Sequence, residues 1–401
     1  MRLGTLISNK LHQLRDRLHA GIGKGYSIDE PPPLRAELFS ADQMEQHGKA
    51  LALSHVLAQS QSPDKLLGRL AGNERSLTGV CRLLTEVATE NRQVTPAGEW
   101  LLDNFYLIEE QIRTAKRHLP EGYSLELPKL AQGPSAGHPR VYDVALETIA
   151  HGDGRVDTQS LTRFVSAYQS VAPLNLGELW AIPIMLRLAV IENLGRVSAR
   201  IAAVWIERNL AAAWADKMTD AAENDPKSLI LVIADMARSN PPMVSAFVSE
   251  LARRLQGRGP SLALPLTWIE QCLSEMGQTI EQMVQSENQQ QAANKVSISN
   301  CIGSLRVLAA VDWREFVETL SIVEKTLRQD PGHHYGRMDF ATRDRYRHAV
   351  ERIARKCRQS EETVAQLAIA LAKANAGEDE KGETGNRLAH VGFYLIGNGL
   401  A

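Results

Sequence analysis

The sequence predicts an all-α fold, a multi-helix array of antiparallel helix hairpins of which an α-solenoid is one form. Three observations carry this. Apolar residues recur at helical spacing in segment after segment, beginning with Ala50, Leu51, Leu53 and Leu57 and continuing through Leu101, Phe105, Ile108 and Ile112. Strand-like alternation is confined to Tyr123–Leu130 and Val296–Ile302, each short enough to be a connection or part of a helix. Two stretches, Ala234–Leu255 and Leu308–Leu327, read as loose copies of one helix–turn–helix unit, each restarting on a Phe-Val pair followed by leucines.

The elements follow in order. Residues 2–20 read as a basic amphipathic helix, with Leu3, Ile7, Leu11, Leu14 and Leu18 on one stripe. Such a helix either docks on the rest of the protein or lies on an anionic membrane surface. Gly21-Ile-Gly-Lys-Gly25 ends it as a hinge; the spacing of a phosphate-binding loop is absent. Ser40-Ala-Asp-Gln43 is a capping box that opens the next helix. Thr95-Pro96 is a cap with proline at the first helical position, and the stripe after it predicts one helix to about His118. Prolines and glycines between 119 and 140 mark the longest irregular connection, and a domain boundary is placed there. Asp157 caps a further helix. Leu176–Leu194 is apolar on several sides and predicts central core, with Pro183 in its first turns or kinking it. Residues 377–385 are polar and read as a loop. The implied organisation is a basic amphipathic helix and Gly-rich hinge over 1–30, an N-terminal helical subdomain over 31–132, a main helical domain over 133–375, and a loop with an apolar tail over 376–401.

Composition narrows the function classes. The 401 residues are 44% hydrophobic and 23% charged, with a net charge of -2, so the chain forms a core and carries no global field of the kind that marks a nucleic-acid binder. Four dispersed cysteines without a Cys-x-x-Cys pair fit neither a disulfide framework nor a zinc knuckle and point to a reducing compartment. The first residues lack a cleavage site for a signal peptide. The longest uncharged runs, about 14 residues each, fall short of a bilayer span.

The densest polar constellation is Gly336–His348, with Arg337, Asp339, Arg343, Asp344, Arg345, Tyr346 and Arg347. On a helix capped by Asp339 or Thr342, Arg343, Arg347 and Glu351 share a face. Guanidiniums at this density suit a phosphate, a carboxylate or a docking partner, because each fork donates two parallel hydrogen bonds. The competing reading is a structural network in which Asp339, Asp344 and Glu351 neutralise the arginines. The adjacent His333 and His334 suit a loop better than a metal, even with His348 as a third ligand, so no metal ligands are assigned. Gly152–Asp157 lacks the alternating acids of a calcium loop and reads as a turn plus a cap. No nucleophile elbow or dinucleotide fingerprint appears, and no catalytic residue is assigned.

Three longer phrases, Asn104–Ile112, Gly177–Leu194 and Met338–Arg347, together resemble the amino-terminal region of cyclic β-1,2-glucan synthases. The resemblance implies that the longer protein is a bacterial membrane glycosyltransferase using UDP-glucose and a divalent metal on the cytosolic side of the inner membrane. A phosphorylase-like region would control the glucan's length. The implied transferase motifs are missing here: the sequence has no Asp-x-Asp, and none of its six tryptophans follows an arginine. The expectation is therefore a cytosolic fragment ahead of the first membrane segment, with no cofactor of its own. It would serve as scaffold or regulatory module for the transferase and membrane parts of the same polypeptide. The alternative is a helical domain that itself binds or processes β-1,2-glucan.

Overall fold

The computed structural model describes residues 32–59, 63–90, 94–375 and 388–397. The amphipathic helix predicted over 2–20 and the loop over 377–385 lie outside them. Sixteen α-helices and three short 3-10 turns make up the described chain, and no β-strand occurs among the described residues. Their only pairings of strand type are two isolated bridges, Leu57 with Leu130 and Lys129 with Pro139.

The helices α1 (Ala41–Ser54), α2 (Leu66–Thr89), α3 (Pro96–Asp103), α4 (Phe105–His118), α5 (Arg140–His151) and α6 (Thr158–Gln169) precede a 49-residue helix, α7 (Leu176–Asn224). At 1.5 Å per residue α7 runs for about 73 Å. Its first half is buried on every side, which is why the sequence from Leu176 to Leu194 shows no polar face. An Asn175–Glu178 capping box starts it, and Pro183 sits inside it without ending it. The array is organised around this helix: α2, α5, α9 and α11 all pack on it, although they come from distant parts of the chain. Hairpins that rested only on their neighbours would not share one central element in this way.

After α7 come α8 (Leu229–Arg238), α9 (Ser245–Leu255), α10 (Ala263–Glu275), α11 (Ile280–Ala310), α12 (Trp313–Leu320), α13 (Ile322–Leu327), α14 (Phe340–Cys357), α15 (Glu361–Ala374) and the short α16 (Gly392–Leu395). Three apolar cores result. The largest gathers α1–α6, the first half of α7, the end of α11 and α12, and so draws on both sides of the 119–140 connection. The second joins the last turns of α7 to α8–α11, and the third is built by α13–α16.

Local chemistry explains where the helices begin. Ser40 closes the predicted capping box with Gln43, Asp157 accepts from the Ser160 N–H at 2.8 Å, and Asp339 accepts from Thr342 at 2.9 Å. Two expectations need correction. The helix from Pro96 breaks at Asn104, whose amide turns back on the Trp100 carbonyl at 2.9 Å while its oxygen accepts from Arg306 at 2.8 Å. The second helix–turn–helix copy is split at Ser321, which ends α12 and caps α13 by accepting from Glu324. Both alternating stretches resolve without strands: Tyr123–Leu125 is a 3-10 turn, and Val296–Ile302 lies inside α11.

Candidate functional site

The arginine helix α14 stands against α12, α13 and the start of α7, and its face of i, i+4 residues turns inward. Arg347 is wholly buried and donates to Glu324 at 2.6 Å, to Asp344 at 3.0 Å and to Glu318 at 3.1 Å. One turn earlier, Arg343 grips Glu318 through three bonds of 2.7–3.0 Å. Tyr335 adds its hydroxyl to Glu324 at 2.7 Å. Phe340 covers the Arg347 guanidinium at 5.0 Å, and Trp180 of α7 meets Phe340 edge-on at 6.4 Å. Burial works against ionisation of Glu318, but the bonds from Arg343 and Arg347 outweigh it and hold its carboxyl below the ordinary range.

The sequence-predicted group thus separates. Arg343, Asp344 and Arg347 meet in a buried network, whereas Arg337, Asp339 and Arg345 are exposed. Tyr346 faces the other way, with its hydroxyl 3.0 Å from His390 Nε2; His390 Nδ1 in turn lies 2.8 Å from Asp330. Asp330 also accepts from the Val391 N–H at 2.9 Å. Burial alone would raise the Asp330 carboxyl, yet these bonds hold it down at about 2. The Tyr346–His390–Asp330 chain pins residues 388–397 onto the third core. Burial raises the Tyr346 hydroxyl, which argues against an activated phenolate.

Beside the network opens a cleft of about 1180 Å³ between the start of α7, the 120–127 turn and the facing ends of α14 and α15. Trp180 and Tyr123 supply its aromatic surface, and Glu351, Glu361, His348 and Arg355 its polar one. Glu361 accepts from the Leu176 N–H at 2.9 Å. Its burial pushes the carboxyl up to about 7 despite that bond, with Glu351 and Glu178 adding to the rise. Glu351 is engaged by Arg355 at 2.8 Å and His348 at 3.0 Å. A carboxyl poised near neutrality beside a carboxylate and two aromatic rings can exchange a proton with a hydroxylated ligand.

Sequence reasoning missed Glu318, Glu324, Trp180 and Glu361. Only Glu324 carries a local signal, because Ser321-x-x-Glu324 is a capping pattern. The His333, His334 and His348 trio is not brought together; among the described residues the ligand atoms close enough to share one ion are those of His47, Glu147 and His151. No helix among the described residues is long and apolar enough to cross a membrane.

No family model matches the chain. Over 377 residues, 92% of its length, it is 31% identical to the cyclic beta-(1,2)-glucan synthase NdvB of Rhizobium meliloti (strain 1021). The chain is related to one part of a cyclic β-1,2-glucan synthase. It spans 13% of the length of that relative, and the resemblance read from the three sequence phrases is borne out. With so much of the chain aligned, most of the helical body belongs to the region related to the glucan synthase. The paired aspartates expected to hold a nucleotide sugar and its metal in the transferase are not in this sequence, so no transfer step is assigned to it.

Proposed function

We propose that this region is a helical scaffold of a cyclic β-1,2-glucan synthase, lying on the cytoplasmic side of the bacterial inner membrane and docking on the UDP-glucose-dependent transferase of the same polypeptide. The observation that carries this reading is the internal use of Arg343 and Arg347. Their guanidiniums are consumed in tying α14 to α12 and α13, as expected of a rigid strut, and Arg337 and Arg345 remain on the outer surface for a partner. Such exposed charges set the specificity and rate of docking more than its strength. The test is the double substitution Arg337→Glu, Arg345→Glu in the full-length synthase. Glucan formation from UDP-glucose should fall severalfold while the thermal stability of the separate region stays unchanged; unaltered synthesis contradicts the docking surface.

The cleft favours a second reading, in which the region itself contacts β-1,2-glucan. Trp180 and Tyr123 offer stacking faces, and Glu361 offers a proton near neutral pH. Titration of β-1,2-linked oligosaccharides into the chain, compared with Trp180→Ala, tests it: saturable heat lost in the variant supports contact, and no heat removes it.

A further inference from the structure

We propose that His47, Glu147 and His151 form a binding site for a zinc-class divalent cation. Glu147 and His151 stand one turn apart on α5, and α1 brings His47 against them from across 100 residues of sequence. His47 Nε2 lies 2.7 Å from Glu147 Oε2 and His151 Nε2 lies 3.3 Å from the same oxygen, and all three ligand atoms fall within 4.8 Å of one another. Ligands about 2.0–2.1 Å from a tetrahedral zinc sit about 3.3 Å apart, so little movement is needed to admit the ion.

The hydrogen bonding around His151 argues for a cation. Its Nδ1 lies 2.7 Å from the backbone carbonyl of Glu37, an acceptor only, so Nδ1 carries the hydrogen and donates it. In the neutral ring Nε2 then presents its lone pair to the Glu147 carboxylate, and two electron-rich atoms face each other unless a proton or a metal ion lies between them. A backbone carbonyl on the far nitrogen is also how metal-bound histidines are oriented. Phe39 lies flat on the His151 ring, with centroids 3.9 Å apart and planes 12° apart, and fixes its attitude. Gly48 lets α1 pack closely on α6, since a Cβ there would stand 2.9 Å from the Phe164 carbonyl oxygen.

Two imidazoles and one carboxylate suit zinc and its neighbours rather than magnesium or calcium, which prefer oxygen alone. Side-chain exposures of 24%, 30% and 10% for His47, Glu147 and His151 leave the site reachable from solvent. The Ala36 N–H already bonds the Ala150 carbonyl at 3.0 Å, so the ion would fasten residues 36–47 to the end of α5.

The test uses the untagged 401-residue chain, stripped with a chelator and titrated with Zn²⁺ and with Co²⁺. One equivalent of Zn²⁺ should bind and raise the melting temperature. Co²⁺ should give the visible bands of a tetrahedral nitrogen–oxygen site. Glu147→Gln and the double variant His47→Gln, His151→Gln should each weaken binding by about tenfold or more, whereas Cys272→Ser and Cys357→Ser should not. No stoichiometric uptake by the parent chain, undiminished uptake by the double histidine variant, or a cobalt–thiolate charge-transfer band would each overturn the proposal. The parent chain's cobalt spectrum decides the question even where a variant loses its helical circular dichroism.

Discussion

Arg347 and Glu324, 23 residues apart in the chain, meet at 2.6 Å with the guanidinium wholly buried and the carboxylate 1% exposed. Neither charge reaches water directly: Arg347 depends on Glu324, Glu318 and Asp344 for its solvation, and Glu324 on Arg347, Tyr335 and Arg328. This makes α14 inseparable from α12 and α13. A surface reading of the same arginines would require them to be free for a ligand, whereas Arg343 and both terminal nitrogens of Arg347 are already bonded to carboxylates, only the buried Arg347 Nε finding no partner.

Removing one side of this network should therefore be costly. Arg347→Ala takes one shared cation from Glu324, Asp344 and Glu318 while Arg328 stays on Glu324 and Arg343 on Glu318, and is expected to destabilise the chain by about 3 kcal/mol in urea denaturation. Glu324→Gln should cost less, because the amide keeps an acceptor for Arg347 and Tyr335. The double variant should show a coupling of about 1–3 kcal/mol rather than additivity. Additive losses would mean that the two residues act independently.

Glu361 gives the chain a pH dependence of definite sign. Its folded carboxyl stands at about 7, above the ordinary value of about 4.3. The folded form therefore holds the proton more tightly than the unfolded form. The resulting stability is fully present below the ordinary value and is lost as pH rises through about 7. Denaturation midpoints of the parent chain should decline from pH 5 to pH 8, and Glu361→Gln should flatten that decline by about 1–2 kcal/mol. Parallel curves for the two proteins would contradict the assignment.

Gly154 is fixed by both backbone and space. Its φ is +81°, and a Cβ there would lie 2.5 Å from the buried Cys301 sulfur. Ser304 of α11 donates to its carbonyl at 2.8 Å, so the turn cannot shift without breaking contact with that helix. Gly154→Ala should cost about 2 kcal/mol or more by urea denaturation. Adding Cys301→Ala should recover the crowding part and leave the backbone part.

What the sequence reveals and hides follows from distance. Ser40, Asp157 and Asp339 are legible as caps because the side chain and the N–H that it serves are three residues apart. The inward stripe Arg343–Arg347 is legible as a face, but its main partners Glu318 and Glu324 are set by tertiary packing; of the local acids, Asp344 pairs with Arg347 and Glu351 with Arg355, whereas Asp339 caps the helix at Thr342. The break at Asn104 escapes a periodicity argument because the apolar spacing continues across it, and only the side-chain bonds to Trp100 and from Arg306 end the helix. The cleft joins residues 120–127, 173–180 and 348–362, three segments that no spacing rule connects. The three phrases that resemble glucan synthases are legible as phrases rather than as single residues, and the 31% identity over 92% of the chain supports the resemblance they suggest.

The most direct test of the scaffold reading removes this region from the full-length synthase and measures cyclic β-1,2-glucan formed from UDP-glucose in membranes. The account predicts that synthesis is lost and that supplying the separate chain in trans restores part of it, with Arg337→Glu, Arg345→Glu failing to do so. Undiminished synthesis by the truncated enzyme would contradict it.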